Sequence, residues 1–226
     1  MNTNTRLFAA SLLAFAAASP ALADPTNFFG TPSAGWNVGS GQPADGFNMS
    51  AAGAREFGLR SQDYQVGVSA NNGAGGDYYV QSGSRAGFPA LSNWNLDLTM
   101  ETPESAIYAY DVFLTIDWDP TAGTDFVTYN LSALLRQQNY DGWVFQDSTN
   151  LGFVNWDHAF DPNATGVYSF NLRAGYQDGG FVEIASSTIR VHVDAPNAAV
   201  PEPGSLALAG LALGGLAWVR RRGVTR

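Results

Sequence analysis

Tyr110-Asp111-Val112-Phe113-Leu114-Thr115-Ile116-Asp117-Trp118 places apolar side chains at 110, 112, 114, 116 and 118, with Asp111, Thr115 and Asp117 between them. Successive side chains of an extended chain point to opposite faces, so a period of two describes a strand with one face in a core. The same period runs outward from this stretch. Upstream it marks Tyr64, Val66 and Val68, then Trp94, Leu96, Leu98 and Met100. Downstream it marks Phe126 to Leu131, Phe153 to Trp156, Tyr168-Phe170-Leu172, Phe181 to Ile184 and Ile189-Val191-Val193. Gly and Asn/Asp clusters separate the runs, as in Asn71-Asn72-Gly73-Ala74-Gly75-Gly76-Asp77 and Gln177-Asp178-Gly179-Gly180.

Seven or more such strands, with Ser132 to Asn139 as the one short helix, predict an all-β body: an antiparallel Greek-key β-sandwich, immunoglobulin-like or jelly-roll-like. From Asp24 to Gly58 the chain is rich in Gly, Pro, Asn and Ser with scattered aromatics, which predicts strands joined by long loops. The stretch Asp161-Pro162-Asn163-Ala164-Thr165-Gly166-Val167-Tyr168-Ser169-Phe170 resembles a tyrosine corner, in which the Tyr hydroxyl hydrogen-bonds back across the turn. An ordinary turn entering a strand with a buried Tyr fits the same residues equally well.

Both ends of the chain read as handling signals. Arg6, the apolar stretch Leu7 to Ala18 and the small-x-small pattern Ala21-Leu22-Ala23 before Asp24 describe a signal helix over 1–23 that signal peptidase removes. The body is then 24–197 and the tail 198–226. The tail runs Val200-Pro201-Glu202-Pro203-Gly204, an uncharged span of fourteen residues over 206–219, and Arg220-Arg221-Arg222. Two prolines deny the first part both a helix and a sheet ladder, leaving an extended strip that a protease can read. As a helix the span reaches about 21 Å at about 1.5 Å per residue, short of a hydrocarbon core of about 30 Å. It predicts a marginal transmembrane helix, and the arginines place its C-terminal end in the cytoplasm.

This order of motif, apolar span and arginine cluster resembles the PEP-CTERM sorting signal, also described as an ice-binding-protein C-terminal motif. The resemblance implies an exported protein of the Gram-negative envelope, cut by an exosortase-type membrane protease in bacteria that make exopolysaccharide. It makes Val200, Pro201, Glu202, Pro203 and Gly204 the recognition motif and Arg220, Arg221 and Arg222 the stop-transfer cluster. It implies an inner-membrane-anchored precursor with a periplasmic body, then a place on the cell surface or in the extracellular matrix. A looser resemblance, in Leu114 to Asp125 and Phe160 to Tyr168, links the body to β-rich domains found ahead of this signal, and implies no activity.

Charge and composition narrow the chemistry. Five of the eleven basic residues (Arg6, Arg220, Arg221, Arg222 and Arg226) lie in the terminal segments, so residues 24–205 hold six basic against all twenty acidic residues, a formal charge of −14. Such a surface repels phosphate backbones, which disfavours nucleic acid as a partner while leaving cations and uncharged carbohydrate open. The absence of cysteine removes thiolate zinc sites and thiol nucleophiles.

The two imidazoles, His158 and His192, read as structural, and no G-x-S-x-G, P-loop or H-E-x-x-H pattern is present. Glu101 and Glu104 flank a Thr-Pro turn and are the nearest thing to a paired-carboxylate set. Asp117, Asp119 and Asp125 around Gly123 form the candidate metal site, with an oxygen set suited to Ca²⁺, although acidic turns of this kind are common without metal. Tyr140, Trp143, Trp156 and Tyr176 near loops are candidates for a sugar platform. These residues rank a non-enzymatic surface or matrix protein first, a carbohydrate- or calcium-binding module second, and a secreted hydrolase last.

Overall fold

The computed structural model describes residues 25–38, 43–64, 67–71, 76–103, 107–153 and 156–194. The expected signal helix, its cleavage site at Ala21, Ala23 and Asp24, and the whole tail with its apolar span lie outside the described residues, as do Val66 and Glu104. Among the described residues no helix is long and apolar enough to cross a membrane.

The chain forms β1 (Thr26–Gly30), β2 (Phe47–Ala52), β3 (Arg55–Asp63), β4 (Gly67–Val68), β5 (Ala70–Asn71), β6 (Asp77–Val80) and β7 (Ser84–Arg85). It continues through β8 (Phe88–Ser92), β9 (Trp94–Glu101), a 3-10 turn (Ile107–Ala109), β10 (Asp111–Asp117) and β11 (Phe126–Asn130). Then come α1 (Leu131–Gln137), β12 (Val144–Thr149), β13 (Gly166–Gln177) and β14 (Phe181–Val193). One sheet has the order β1-β2-β3-β9-β12, with β4 also on β3; the second has the order β11-β10-β13-β14-β6-β5. β7 and β8 make a separate ribbon.

The two open sheets share one core. Phe57 and Leu59 of β3 and Trp94, Leu96, Leu98 and Met100 of β9 meet Val112, Leu114 and Ile116 of β10, Tyr168, Phe170 and Leu172 of β13, and Ile189 and Val191 of β14. Every apolar residue of the alternating runs on β9 and β10 from 94 to 116 is buried; on β10 the residues between them are mostly half-buried, whereas on β9 Asp97, Thr99 and Glu101 are buried as well. The first sheet is also covered on its outer face. There Trp36, Phe47 and Met49 form a small second core beneath the segment that follows β1. Both faces of β3 are out of water, and on it Phe57 and Leu59 are flanked by Arg55 and Ser61, which leaves the alternation too short to read.

Several expectations change. The runs at 181–184 and 189–193 belong to one strand, because the polar stretch between them is used. Ser186 donates its backbone N–H to Ser50 Oγ, Ser187 Oγ donates to Asn48 O, and Asn48 Nδ2 donates to Thr188 O, joining β14 to β2 across the sheets. The second sheet is mixed and not purely antiparallel: β6 pairs with β14 in parallel, Arg190 opposite Asp77 and Val193 opposite Val80. Sequence alternation carries no sign of strand direction, so this pairing could not be read from it.

Phe153 ends a turn in place of a strand, its N–H donating to Asn150 O at 3.1 Å. The helix begins at Leu131, one residue earlier than expected, because Asn130 caps it by accepting from Ala133 N at 2.8 Å. Tyr168 is no tyrosine corner. Its ring packs on Trp94 and Phe160, and among the described residues its hydroxyl makes no hydrogen bond back to the turn. Burial, with the nearby carboxylates of Asp161 and Asp119, pushes its phenol up to about 12.

Candidate functional site

β10 ends in Asp117, and the chain turns through Asp119 to Asp125 before returning as β11. Asp117 is nearly buried and caps this turn: its Oδ1 accepts the Asp125 N–H at 2.7 Å and the Asp119 N–H at 3.3 Å. Asp119 Oδ1 accepts the Thr121 N–H at 2.9 Å, and the hydrogen bonds from Thr121 hold the Asp119 carboxyl below the usual carboxylate range. Asp125 turns outward to His158, Nε2 to Oδ2 3.2 Å, and the imidazole lies flat on Trp118 at 4.6 Å. Gly166, at a φ of 134°, closes the turn from the other side, since a Cβ there would overlap the Pro120 carbonyl that accepts the Val167 N–H.

The three carboxylates are therefore adjacent in the chain without converging on a common point. Two of them bond backbone N–H groups and the third faces an imidazole. Among the described residues no group of three or more His, Asp or Glu side chains is placed to hold a metal ion. The acid-rich pattern is accounted for by turn capping, in which Asp side chains stand in for backbone acceptors.

His192 lies on β14 beside the parallel partner β6. Its Nε2 is 2.9 Å from Asp77 Oδ1, an oxygen that also takes Arg190 Nε at 2.7 Å, while Arg190 Nη2 donates to Oδ2 at 2.9 Å. Tyr79 stacks on the imidazole at 4.9 Å. Partial burial pulls the Asp77 carboxyl upward, but the bonds and charges of His192 and Arg190 outweigh it and leave the group below its ordinary value. The cluster ties β6 to β14, and each of its side chains has a structural partner.

Glu101 stands opposite Glu56 on adjacent strands, so two carboxylates do sit side by side. They hold the turn after β1: Glu56 accepts Ser33 N at 2.8 Å and Ser33 Oγ at 2.7 Å, and Glu101 accepts Ala34 N at 2.9 Å. Partial burial pushes the Glu101 carboxyl up, Ala34 draws it back, and the Glu56 charge adds to the rise. Further along the same outer face, Gln146 accepts from Asn37 N and donates to Gly35 O. These residues form a clamp over the N-terminal segment.

The four candidate aromatics are not assembled into a platform. Trp143 is 53% exposed, whereas Trp156 is buried, its Nε1 donating to Asn150 O at 3.0 Å. Tyr140 packs edge-on against Phe145 and donates its hydroxyl to Val144 O, and Tyr176 lies at the far end of β13 against the core. Local sequence could not find two features that the fold makes prominent. One is Asn150, fully buried, whose Nδ2 bonds Ser92 O, Trp94 O and Asn95 Oδ1 and whose Oδ1 accepts from Ser92 N and Gly152 N. The other is Arg60, fully buried against Asp97.

The sorting residues Val200, Pro201, Glu202, Pro203 and Gly204 and the cluster Arg220, Arg221 and Arg222 lie outside the described residues. Their identity rests on sequence. Residues 199–222 match the family model of the PEP-CTERM protein-sorting motif. No curated protein and no solved structure matches the chain.

Proposed function

Starting from the PEP-CTERM protein-sorting motif that this exported, C-terminally sorted chain carries, we propose that it is a non-enzymatic structural protein of the cell envelope or extracellular matrix. An exosortase-type membrane protease processes its tail, and its final place is the exopolysaccharide-bearing surface. The single observation that carries the reading is the motif at 199–222, which begins a few residues after the last strand ends at Val193.

The body supports a structural role in how its polar groups are used. Both histidines, the Glu56–Glu101 pair and the turn carboxylates are engaged in holding strands and loops together. We read the body as a Greek-key sandwich, since the chain passes between the sheets from β9 to β10, from β11 to β12 and from β12 to β13. The charge of −14 over residues 24–205 keeps it soluble outside the cell and repels other anionic surfaces.

Mass spectrometry of the protein from a producing strain, with and without its exosortase, tests the proposal. The expected product begins at Asp24 and lacks the apolar span 206–219 and Arg220–Arg222 only when the enzyme is present. A protein that keeps Arg226 in the presence of the enzyme refutes the processing step.

A further inference from the structure

Between β12, the edge of the first sheet, and α1 the core opens into a cavity of about 150 Å³. That is about the volume known to hold one benzene ring. Its floor is Leu98, Leu135 of α1 forms one wall, and three aromatic rings, Tyr129, Phe145 and Trp156, line the rest. Asp147 also lines it. The register of β12 on β9 sets this carboxylate on the inner face: Asp147 stands opposite Leu98, between Phe145 opposite Met100 and Thr149 opposite Leu96. An acidic side chain therefore occupies an apolar position of the strand, at the mouth of the cavity.

Among the described residues no basic side chain is paired with it. Arg60 binds Asp97, Arg136 binds Asp111, Arg190 binds Asp77, Arg55 donates to Tyr110, Arg85 donates to Asn95, and Arg173 lies over Phe181. These six are all the basic residues between 24 and 205 apart from the two histidines, which face Asp125 and Asp77. Asp147 is solvent-exposed at the rim of the cavity; partial desolvation by its apolar neighbours pushes its carboxyl up, with the Ser148 N–H drawing it partly back.

We propose that this cavity binds a small organic cation, an ammonium carried on a single ring or a group of that size, with the apolar part against Leu98 and the aromatic walls and the charge at Asp147. An ammonium gains from the carboxylate and from the electron-rich faces of aromatic rings together. Hydrocarbon alone would make no use of the carboxylate at the rim. A hexose would bring several hydroxyls to a site whose other polar groups are Gln138, Thr149, the Tyr129 O–H and the Trp156 N–H, the last two already bonded to backbone carbonyls, leaving most of those hydroxyls without partners. The acidic body adds a long-range attraction for cations. This site is independent of the sorting tail, and neither reading depends on the other.

The test is calorimetric titration of the full chain with benzylamine, cationic at pH 7, against benzyl alcohol, benzoate and glucose. Benzylamine is expected to bind one equivalent, about tenfold or more tighter than benzyl alcohol, with benzoate and glucose giving no saturable heat. Asp147→Asn, nearly isosteric on an open edge strand, is expected to remove that tenfold preference while leaving the alcohol unchanged. Asp178→Asn, in the distant β13–β14 turn, is expected to leave both affinities alone and so controls for overall charge. Leu134→Trp, at a half-exposed lining position, is expected to obstruct all binding; a melting curve checks that each variant folds, and Asp147→Asn decides alone if the tryptophan variant does not. Equal affinity for amine and alcohol, an unaffected Asp147→Asn variant, or tighter binding of glucose overturns the proposal. So does the lack of any saturable benzylamine binding by about 10 mM, weaker than the millimolar affinity expected of so small a ligand; Asp147 then only guards an edge strand against pairing.

Discussion

Arg60→Met removes the one cation from the outer core of the first sheet. Arg60 and Asp97 are both fully buried, stand opposite each other on β3 and β9, and bond Nε to Oδ2 at 2.7 Å. Arg60 Nη1 also donates to Pro43 O and Asp45 O, and its guanidinium lies 4.8 Å from the Trp36 ring and 4.4 Å from the Phe47 ring. It thus pins the segment after β1 onto the sheet. Asp97 is already under strain of desolvation: burial pushes its carboxyl up despite the Arg60 charge, and its Oδ1 has no hydrogen-bond partner among the described residues. Removing the arginine leaves a buried anion alone, which costs about 3–5 kcal/mol. That is a large share of a domain stability of about 5–15 kcal/mol.

Urea unfolding followed by tryptophan fluorescence measures the loss, and pH identifies its cause. Without Arg60 the folded-state carboxyl of Asp97 rises further above its unfolded value. A raised carboxyl costs stability above the unfolded pKa and stops costing it once both states are protonated, so the deficit should be greatest at pH 7 and shrink toward pH 4. The double variant Arg60→Met/Asp97→Leu should recover at least half of the loss, because no charge remains in the apolar site. A deficit below about 1 kcal/mol at pH 7, or one that does not change between pH 7 and pH 4, refutes the reasoning.

Two further outcomes follow from polar groups that sequence patterns do not reveal. Asp77 is held below its ordinary value, so its contribution is present above about pH 4 and is lost as pH falls through the lower folded value. Asp77→Asn should flatten the acid limb of melting temperature against pH, and an unchanged limb would show that other carboxylates govern it. Asn150→Ala strips partners from Ser92 N, Gly152 N and the carbonyls of Ser92 and Trp94, all around one buried side chain, and should cost about 3 kcal/mol in urea midpoint at constant m. A loss under about 1 kcal/mol would mean that water or a shifted loop replaces those bonds.

Legibility followed whether the core-side positions of a strand are all apolar. On β9 and β10 they are, from Trp94 to Met100 and from Val112 to Ile116, so their alternation gave them away. On β3 Phe57 and Leu59 are flanked by Arg55 and Ser61, and Arg55-Glu56-Phe57-Gly58-Leu59-Arg60-Ser61-Gln62-Asp63 shows no period to read. β12 was missed for the same reason, since its core-side position 147 carries an aspartate where a hydrophobe would have marked it. The three acidic residues at 117, 119 and 125 share one turn, and their oxygens bond backbone N–H groups and an imidazole, a choice set by main-chain direction.

The sequence by itself determined the β class, a short helix expected over 132–139 and the sorting tail, because each is written within a short stretch: a period of two, a polar-apolar run between strands, and prolines ahead of an apolar span and arginines. Tertiary structure alone decided the parallel pairing of β6 with β14, the Asp77 contacts made with Arg190 at a separation of 113 residues, the burial of Arg60 and the inward turn of Asp147. Those depend on which distant backbone lies alongside. A side chain's own neighbours in sequence fix which face it takes, and only the packed sheets fix whether that face meets water, another strand or an empty cavity.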